Sequence, residues 1–365
     1  MNFESTENEL SLRKAIAKMV DDQPPDASAF QQWLSEKLLG LAWAGLFAGR
    51  PEEGLVGFLL AVEHIAYRRP RLAWAAGITV HPALHLIDEL CRGKERRSSF
   101  EDEAKNRMPL VVAHSEREGG CRPQALSTRL ERNGGRIMLS GTKYPLLHLE
   151  AAGGFLVAAT SPEGEWLCLV GRDAKGVTFE TGEPVPGVEP LSSATLRLEG
   201  VTVDERLCLG PFEPGLLIDL LSEAQRLFCC GYYLGICKRS LDSAIRACSG
   251  AGRGKPPSGF QLARFGLAEM KSVVDAVEVL CHRAASAADT GSPGAGDLLR
   301  CARVVAAEAA LELSEKAVQL AGATAFCAET ELRQNLSLAR LPVGIGISTA
   351  AERMNIAGSI LSEHH

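Results

Sequence analysis

The sequence lacks the features that mark membrane, exported and nucleic-acid-binding proteins. Its longest apolar stretch, residues 55–66, is interrupted by Glu63 and His64 and is far shorter than the ~20 apolar residues that a membrane span needs. The N-terminus has neither the basic nor the apolar segment of a signal peptide. A net charge of −6 gives no attraction to nucleic acid. These absences predict a soluble, cytoplasmic protein with no membrane or nucleic-acid partner.

Cysteine is plentiful, but the spacing that binds metal is missing. None of the eleven cysteines belongs to a Cys-x-x-Cys pair, which is the spacing typical of structural zinc sites and redox pairs. Most lie in apolar runs such as 227–230, where a free cysteine behaves as a small hydrophobic residue. We therefore predict reduced thiols, most of them packed in the core, and no metal site.

Two familiar catalytic motifs are missing as well. Residues 249–255 resemble a phosphate loop at first sight, but Ser249 stands at the position of the first glycine and Pro256 follows the lysine. A true phosphate loop also follows a strand. His114 and Ser115 lie beside Glu116, but no Gly-x-Ser-x-Gly motif of a serine hydrolase is present. Glu116 is expected to accept hydrogen bonds from nearby backbone N–H groups.

Hydrophobic periodicity divides the 365 residues into three parts, in keeping with a length that suits two or three domains. The first ~110 residues are predicted to be helical because apolar positions recur with a 3.6-residue period. Leu55, Phe58 and Val62, for example, share one face. Pro51 is expected to begin this helix and Pro70 to end its pattern.

The pattern changes between Met108 and Gly210 to short β-rich segments separated by turn residues. Asn133, Gly134 and Gly135 are a strong hairpin signal because such a turn needs positive φ. Strands are predicted at 125–132, 136–140, 155–160, 166–171, 177–180 and 194–198. Such a series suits a small antiparallel barrel or sandwich.

Helical periodicity returns after Pro214. Long helices are predicted at 220–248, 260–288 and 298–321, and their short connections are typical of an antiparallel bundle. The predicted domains of this α+β fold are a helical N-terminal domain (1–108), a middle β-domain (109–212) and a C-terminal four-helix bundle (213–365). Apolar residues on more than one face of 298–321 predict an oligomer, since such a helix needs a partner surface.

Local motifs in this order resemble those of the acyl-CoA dehydrogenase family across nearly the whole chain. Residues 111–121 are similar to the family's Thr-Glu-Pro-x-x-Gly-Ser loop, which lies along the flavin, and residues 134–143 to its hairpin ending in Gly-x-Lys. Residues 196–209 resemble the strand that precedes the bundle, and 254–270 the family's Phe-Gly-Lys-Pro, Gln and Leu-Ala-x-Met stretch. The resemblance implies the same three-part fold.

The resemblance also implies a chemistry. Family members bind FAD at a subunit interface and oxidise the Cα–Cβ bond of an acyl thioester, with a carboxylate removing the α-proton while a hydride passes to the flavin. The resemblance places flavin contacts at Ser115, Gly120, Cys121, Gln319 and Gly322, with Arg253 expected to replace an arginine that the family has at position 250.

Several family residues are replaced. Cys121 stands where a serine contacts the pyrophosphate, Gly250 where the arginine does, and Leu147 where a hydroxyl meets the flavin. The two usual base positions hold Gly346 and Gln225, and neither residue can take a proton. FAD is therefore expected to bind weakly, to be shared with a partner subunit, or to be absent, and the catalytic base is unassigned.

Three functions follow from these replacements, because a fold alone does not determine an activity. The chain is an acyl-CoA dehydrogenase-like flavoprotein with a relocated base, or one subunit of a hetero-oligomer whose related partner supplies base and flavin contacts. Alternatively, it is a flavin-free, non-redox protein that binds or converts an acyl thioester or a biosynthetic intermediate. The sequence does not determine whether the thioester carrier is coenzyme A or a carrier protein.

Glu352, beside Arg353, is expected in an ordinary solvated or intersubunit ion pair.

Overall fold

The computed structural model describes residues 7–20, 33, 36–40, 54–91, 98–118, 126–133, 136–147, 152–185, 187–189, 192–249, 259–326, 330–341 and 348–362. Its N-terminal helices are α1 (Glu7–Val20), α2 (Gly54–Arg68), α3 (Pro70–Ile78), α4 (Val80–Cys91) and α5 (Ser98–Asn106).

Pro70 lies at the junction of two helices. It ends the α2 pattern, as predicted, and it also occupies the start of α3. Proline is tolerated at that position because the first N–H groups of a helix have no partner within it.

The middle of the chain forms one mixed sheet. Its strands are β1 (Leu110–Ala113), β2 (Arg129–Asn133), β3 (Arg136–Leu147), β4 (Gly154–Ser161), β5 (Gly164–Gly171), β6 (Val177–Pro184), β7 (Ser192–Val203) and β8 (Cys208–Phe212). They pair in the order β6-β7-β3-β2-β4-β5-β8, and β1 pairs with β4.

Most strand pairs are antiparallel, as predicted. The predicted hairpin is confirmed, because Asn133 pairs with Arg136 across β2 and β3. Two pairs, β1 with β4 and β2 with β4, are parallel. The alternation of apolar and polar residues within a strand does not show which strand it pairs with. The two parallel pairs could therefore not be predicted from the sequence.

The C-terminal part is again helical: α6 (Leu216–Ser249), α7 (Gln261–Asp289), α8 (Ala295–Ala321), α9 (Glu331–Arg340) and α10 (Thr349–Ser362). The three long helices predicted from periodicity are confirmed as α6, α7 and α8. No helix within the described ranges is long and apolar enough to cross a membrane.

The N-terminal helices and the bundle share one hydrophobic core. Phe58 of α2 and Trp74 of α3 belong to the same buried cluster as Phe228 and Tyr232 of α6 and Leu313 of α8. The sheet has a separate core, and a third cluster joins α4 and α5 to the sheet and to the start of α6. This third cluster crosses both predicted domain limits, 108 and 212, so the sheet does not pack independently of the helices on either side.

Nine cysteines lie in the described ranges, and all are free thiols. Seven of these are buried and two are partly buried. The prediction of reduced cysteines that pack mainly in the core is confirmed for this part of the chain.

Helices α2 and α6 approach each other closely through two glycines of α6. A Cβ at Gly235 would lie 2.6 Å from the backbone oxygen of Glu63 and 2.6 Å from the Cβ of Ala66, and a Cβ at Gly231 would lie 2.9 Å from the backbone oxygen of Leu59. Real Cβ atoms do not come so close to backbone. The two helices therefore pack backbone against backbone along this line.

We expect Gly235→Ala to lower the free energy of unfolding by about 1–3 kcal/mol, because α2 must move away to admit the methyl group. Gly358→Ala is the matched control, since Gly358 also lies in a helix but has no atom within 4 Å of the added Cβ. That control should be neutral or stabilising by about 0.5–1 kcal/mol. Urea denaturation of both variants measures the difference. Equal effects at the two glycines would contradict the proposed close contact.

Candidate functional site

A buried ion pair fixes the segment that follows β1. The Nζ atom of Lys143 on β3 lies 2.7 Å from Oε1 of Glu116, and both side chains are almost completely buried. Glu116 also accepts hydrogen bonds from the backbone N–H and hydroxyl of Ser127 and from those of Thr128, at 2.5–3.0 Å. The expectation that Glu116 is a hydrogen-bonding residue is confirmed.

Electrostatics keep this carboxylate ionised. Burial raises the pKa of Glu116, but the Lys143 charge and the hydrogen bonds outweigh burial and lower that pKa to about 2. Burial lowers the pKa of Lys143 to about 8, even though Glu116 opposes the shift. Glu116 therefore carries no proton near neutral pH, and its five donors leave it poorly suited to act as a base.

His114 lies directly behind this pair. Its side chain is buried, and neither ring nitrogen has a hydrogen-bond partner within the described residues. Burial, reinforced by the Lys143 charge, lowers the pKa of His114 to about 4. His114 is therefore neutral at physiological pH.

The described flavin candidates lie in two places, Ser115 after β1 and Gln319 with Gly322 at the end of α8. Ser115 is buried, and its backbone oxygen accepts from the N–H of Tyr144 at 2.9 Å. Gln319 is exposed near the end of α8. Gly322 caps that helix with a φ of +64°, and open space surrounds it. Gly120, Cys121, Arg253 and Gly346 lie outside the described residues.

These described candidates fit a flavin in part. Ser115, Gln319 and the backbone around Gly322 offer neutral hydrogen-bonding groups, which can hold polar parts of a cofactor. None of the three carries the positive charge that binds a pyrophosphate most strongly.

Gln225, at one of the usual base positions, is engaged elsewhere. Its side chain is buried in α6, and its Nε2 donates to the backbone oxygen of Gly77 at 2.7 Å. Glu223 lies two residues earlier and is exposed. The two side chains point to different faces of α6, because residues two apart on a helix are separated by about 200°.

A cavity of about 530 Å³ lies between the N-terminal helices and the bundle. Apolar side chains make part of its wall: Leu55, Phe58, Leu227 and Leu299. Ionisable side chains make another part: His81, His85, Glu89, Glu223 and Asp289. The cavity therefore combines a hydrophobic wall with several ionisable side chains.

The ionisable wall of this cavity was missed by the sequence analysis. His81, His85 and Glu89 follow one another at four-residue intervals on α4, so they share one face. His81 approaches the backbone oxygen of Ala224 at 3.0 Å, and its ring lies 4.9 Å from that of Phe58. The i, i+4, i+8 spacing of these three residues was the sequence signal that could have identified this wall.

Glu352 is surrounded by arginines and is completely buried. It forms an ion pair with Arg226 at 2.9 Å, and Arg300 and Arg303 each approach it at 3.6 Å. The expectation of a solvated or intersubunit pair was wrong, because the whole cluster belongs to this chain. These ion pairs hold helix α10 against α6 and α8.

A second cluster superficially resembles a metal site. Carboxylate and ring atoms of Glu63, Glu278 and His282 lie within 4.8 Å of one another. The ammonium group of Lys238 contacts Glu63 at 2.9 Å and Glu278 at 2.6 Å. Lys238 therefore supplies the positive charge that a metal ion would bring.

Comparisons with known proteins identify the class to which this structure belongs. The sequence profile of the acyl-CoA dehydrogenase C-terminal domain matches residues 221–358. Butyryl-CoA dehydrogenase from Megasphaera elsdenii superposes with a TM-score of 0.83 at 20% identity, covering 99% of this chain and 100% of that one. The prolyl acyl carrier protein oxidase AnaB superposes with a TM-score of 0.80 at 19% identity, covering 98% and 100%. These likenesses establish the fold.

The short-chain specific acyl-CoA dehydrogenase of human mitochondria is 27% identical over 261 residues, which is 69% of this chain and 63% of that protein. The chain thus matches less than two thirds of the length of this curated relative. The fold is that of the acyl-CoA dehydrogenases, and the profile match over residues 221–358 and the curated relatives support membership of that family.

We expect Glu116→Gln to lower the free energy of unfolding by about 3–5 kcal/mol, because it leaves the Lys143 charge buried without its partner. Glu205→Gln is the matched control, since the Glu205–Arg132 pair lies in the same part of the chain but is exposed. The control should cost less than about 1 kcal/mol. Thermal or urea denaturation measures both, and a Glu116 variant as stable as the control would refute the anchoring role.

Proposed function

We propose that the chain is an acyl-CoA dehydrogenase-like oxidoreductase that acts on the Cα–Cβ bond of an acyl thioester with FAD. The observation that carries the proposal is the cavity between α2, α4, α6 and α8, which combines an apolar wall with carboxylates in a chain of this family. Its volume lies in the range of small-molecule sites. An acyl chain would lie against the apolar wall.

Glu223 is the base that we propose for removal of the α-proton. It lines the cavity and is exposed, whereas Gln225 at the usual base position is buried and bonded to Gly77. The α-proton of a thioester is weakly acidic, so a positioned carboxylate is needed to remove it. Glu89 lines the same cavity and is the second candidate.

FAD would supply the acceptor for the β-hydride when it is bound. Ser115, Gln319 and Gly322 would hold its polar parts, and Gly120, Cys121 and Arg253 are proposed from the sequence alone. Because the described contacts are neutral, we propose that the chain by itself binds FAD weakly and that a neighbouring subunit completes the site.

Exposed apolar residues support an oligomer. Leu262 and Phe265 near the start of α7, and Met354 and Leu361 on α10, are 57–80% exposed. Large apolar side chains on two helices of one bundle favour a partner subunit, either a copy of this chain or a related one. The carrier of the acyl group is coenzyme A or a carrier protein, the latter by analogy with the named substrate class of the AnaB oxidase.

We expect the chain expressed alone to carry less than one FAD per subunit. Losing a charge-assisted hydrogen bond to the pyrophosphate weakens binding by about ten- to a hundredfold. Absorbance at the flavin bands after gel filtration measures the content, alone and after co-expression with a related chain. Arg253→Ala should lower it further, whereas Arg283→Ala, at an exposed position of α7, should not. Stoichiometric FAD that is insensitive to Arg253→Ala would contradict the weak-site proposal.

The same experiment separates the alternative function. A chain that binds butyryl-CoA but acquires no flavin, either alone or with a partner chain, would favour a non-redox protein that holds or converts an acyl thioester. The burial of Gln225 in a hydrogen bond to Gly77 is the observation that keeps this alternative open.

Replacing the proposed base gives a second test. In the presence of FAD, we expect Glu223→Gln to slow exchange of the α-protons of butyryl-CoA with deuterated water by about a hundredfold or more. Asp219→Asn is the control, since Asp219 is an exposed acid one turn earlier on α6 and does not line the cavity. Mass spectrometry of recovered butyryl-CoA measures the exchange. Equal rates for wild type and Glu223→Gln would exclude Glu223, and loss in Glu89→Gln alone would assign the base to Glu89.

A further inference from the structure

Two cysteines face each other across neighbouring strands of the sheet. Cys168 on β5 is the register partner of Cys208, the first residue of β8, and the two strands run antiparallel. Residues directly opposite each other in an antiparallel pair have Cα atoms about 4.5–5.5 Å apart. A disulfide joins residues whose Cα atoms are about 4.4–6.8 Å apart. The strand pairing therefore places the two thiols within reach of each other.

The packing of the two side chains agrees with this placement. Cys168 belongs to the core of the sheet, and Cys208 packs against the same cluster. A hydrogen bond with the Cys208 thiol, together with burial, raises the pKa of the Cys168 thiol. Both cysteines are free thiols. The two sulfurs therefore meet on one face of the sheet, at the edge of its core.

The two thiols differ in their access to solvent. Cys168 is completely buried, whereas Cys208 is partly exposed. The Cys208 thiol donates to the backbone oxygen of Asp204 at 3.7 Å. An oxidant in water can therefore reach Cys208 before Cys168, which stays protonated near neutral pH because its pKa is raised. An accessible cysteine beside a second, resolving cysteine is typical of redox-sensing sites.

We propose that Cys168 and Cys208 are a redox-modification site, which forms a reversible disulfide within the chain on exposure to hydrogen peroxide. First, the Cys208 thiolate attacks one peroxide oxygen, the O–O bond breaks, and the hydroxide that leaves takes up the thiol proton as water. Next, the Cys168 sulfur attacks the sulfenic acid of Cys208, the S–O bond breaks, and the hydroxyl leaves with the Cys168 proton as a second water. The two sulfurs lose two electrons in total, which reduce the peroxide.

The disulfide would join β8 covalently to β5. Strand β8 is the last strand before α6, so the bond would attach the chain leading into the bundle to the sheet. A thiol reductant would reverse the bond by exchange. The proposal rests on strand pairing and on access to solvent, and it does not depend on the proposed oxidoreductase reaction.

A second cysteine pair provides an internal control. Cys281 on α7 lies close to Cys230 on α6, and its thiol donates to the backbone oxygen of Cys230 at 4.0 Å. Both of these cysteines are completely buried. They are expected to stay reduced in the folded chain because peroxide cannot reach either sulfur. The two pairs thus separate the effect of access from the effect of proximity.

Mass spectrometry of the folded full chain tests the proposal, after treatment with hydrogen peroxide and blocking of the remaining thiols. Trypsin releases Cys168 in peptide 144–172 and Cys208 in peptide 207–226. We expect these two peptides to be joined, with the loss of two hydrogens, and to separate on treatment with dithiothreitol. Peptides 227–238 and 272–283, which carry Cys230 and Cys281, should not be joined.

Three variants assign the roles of the two sulfurs. Cys168→Ser removes the resolving thiol, so the sulfenic acid of Cys208 should accumulate and be trapped by dimedone. Cys208→Ser should leave Cys168 reduced, and Cys208→Ala replaces it if the serine variant does not fold. Cys301→Ser is the matched control, since Cys301 is another partly buried cysteine, and the yield of the disulfide should be unchanged.

Three results would overturn the proposal. One is the absence of the joined 144–172 and 207–226 peptides from the oxidised wild-type chain. Another is an equal yield of joined peptides from Cys230 and Cys281, which would show that access does not select the pair. The third is a disulfide of Cys168 or Cys208 that joins two chains, seen as a dimer on a non-reducing gel.

Discussion

The close parallel packing of α2 against α6 is the constraint on which the rest of the helical structure depends. Gly231 and Gly235 let the two backbones touch, and the line of contact determines what lies at each end. At one end Phe58 and Glu223 face the cavity proposed for the acyl thioester. At the other end Tyr67 and Arg239 line a second cavity, where Arg239 donates to the backbone oxygen of Tyr67. A shift of one helix would therefore change both cavities at once.

Buried charge connects the other elements to this framework. The Glu116–Lys143 pair holds the segment after β1 against β3, and Glu352 attaches α10 to arginines of α6 and α8. Removing one partner from such a pair leaves an uncompensated charge away from water, which is costly. These carboxylates therefore position backbone, whereas Glu89 and Glu223 line the cavity of the proposed reaction.

Contacts between residues that are close in the chain could be predicted from the sequence, whereas contacts between distant residues could not. The role of Glu116 followed from the tendency of loop carboxylates to satisfy neighbouring N–H groups, and its five donors confirm it. The surroundings of Glu352 were not predictable in this way, because Arg226 and Arg303 lie far from it in the chain. For the same reason, the contacts of His81 with Phe58 and with the backbone oxygen of Ala224 could not be predicted.

The amino-acid sequence by itself determined the succession of helices and strands, the hairpin at Asn133 and the replacement of the usual bases by Gln225 and Gly346. Periodicity, turn residues and motif order are local properties, and they persist whatever the packing. Tertiary structure alone decided that β4 pairs in parallel with β1 and β2, and that the N-terminal helices and the bundle share one core. These features arise from contacts between distant segments, whose geometry depends on how closely the backbones approach and not on any spacing along the chain.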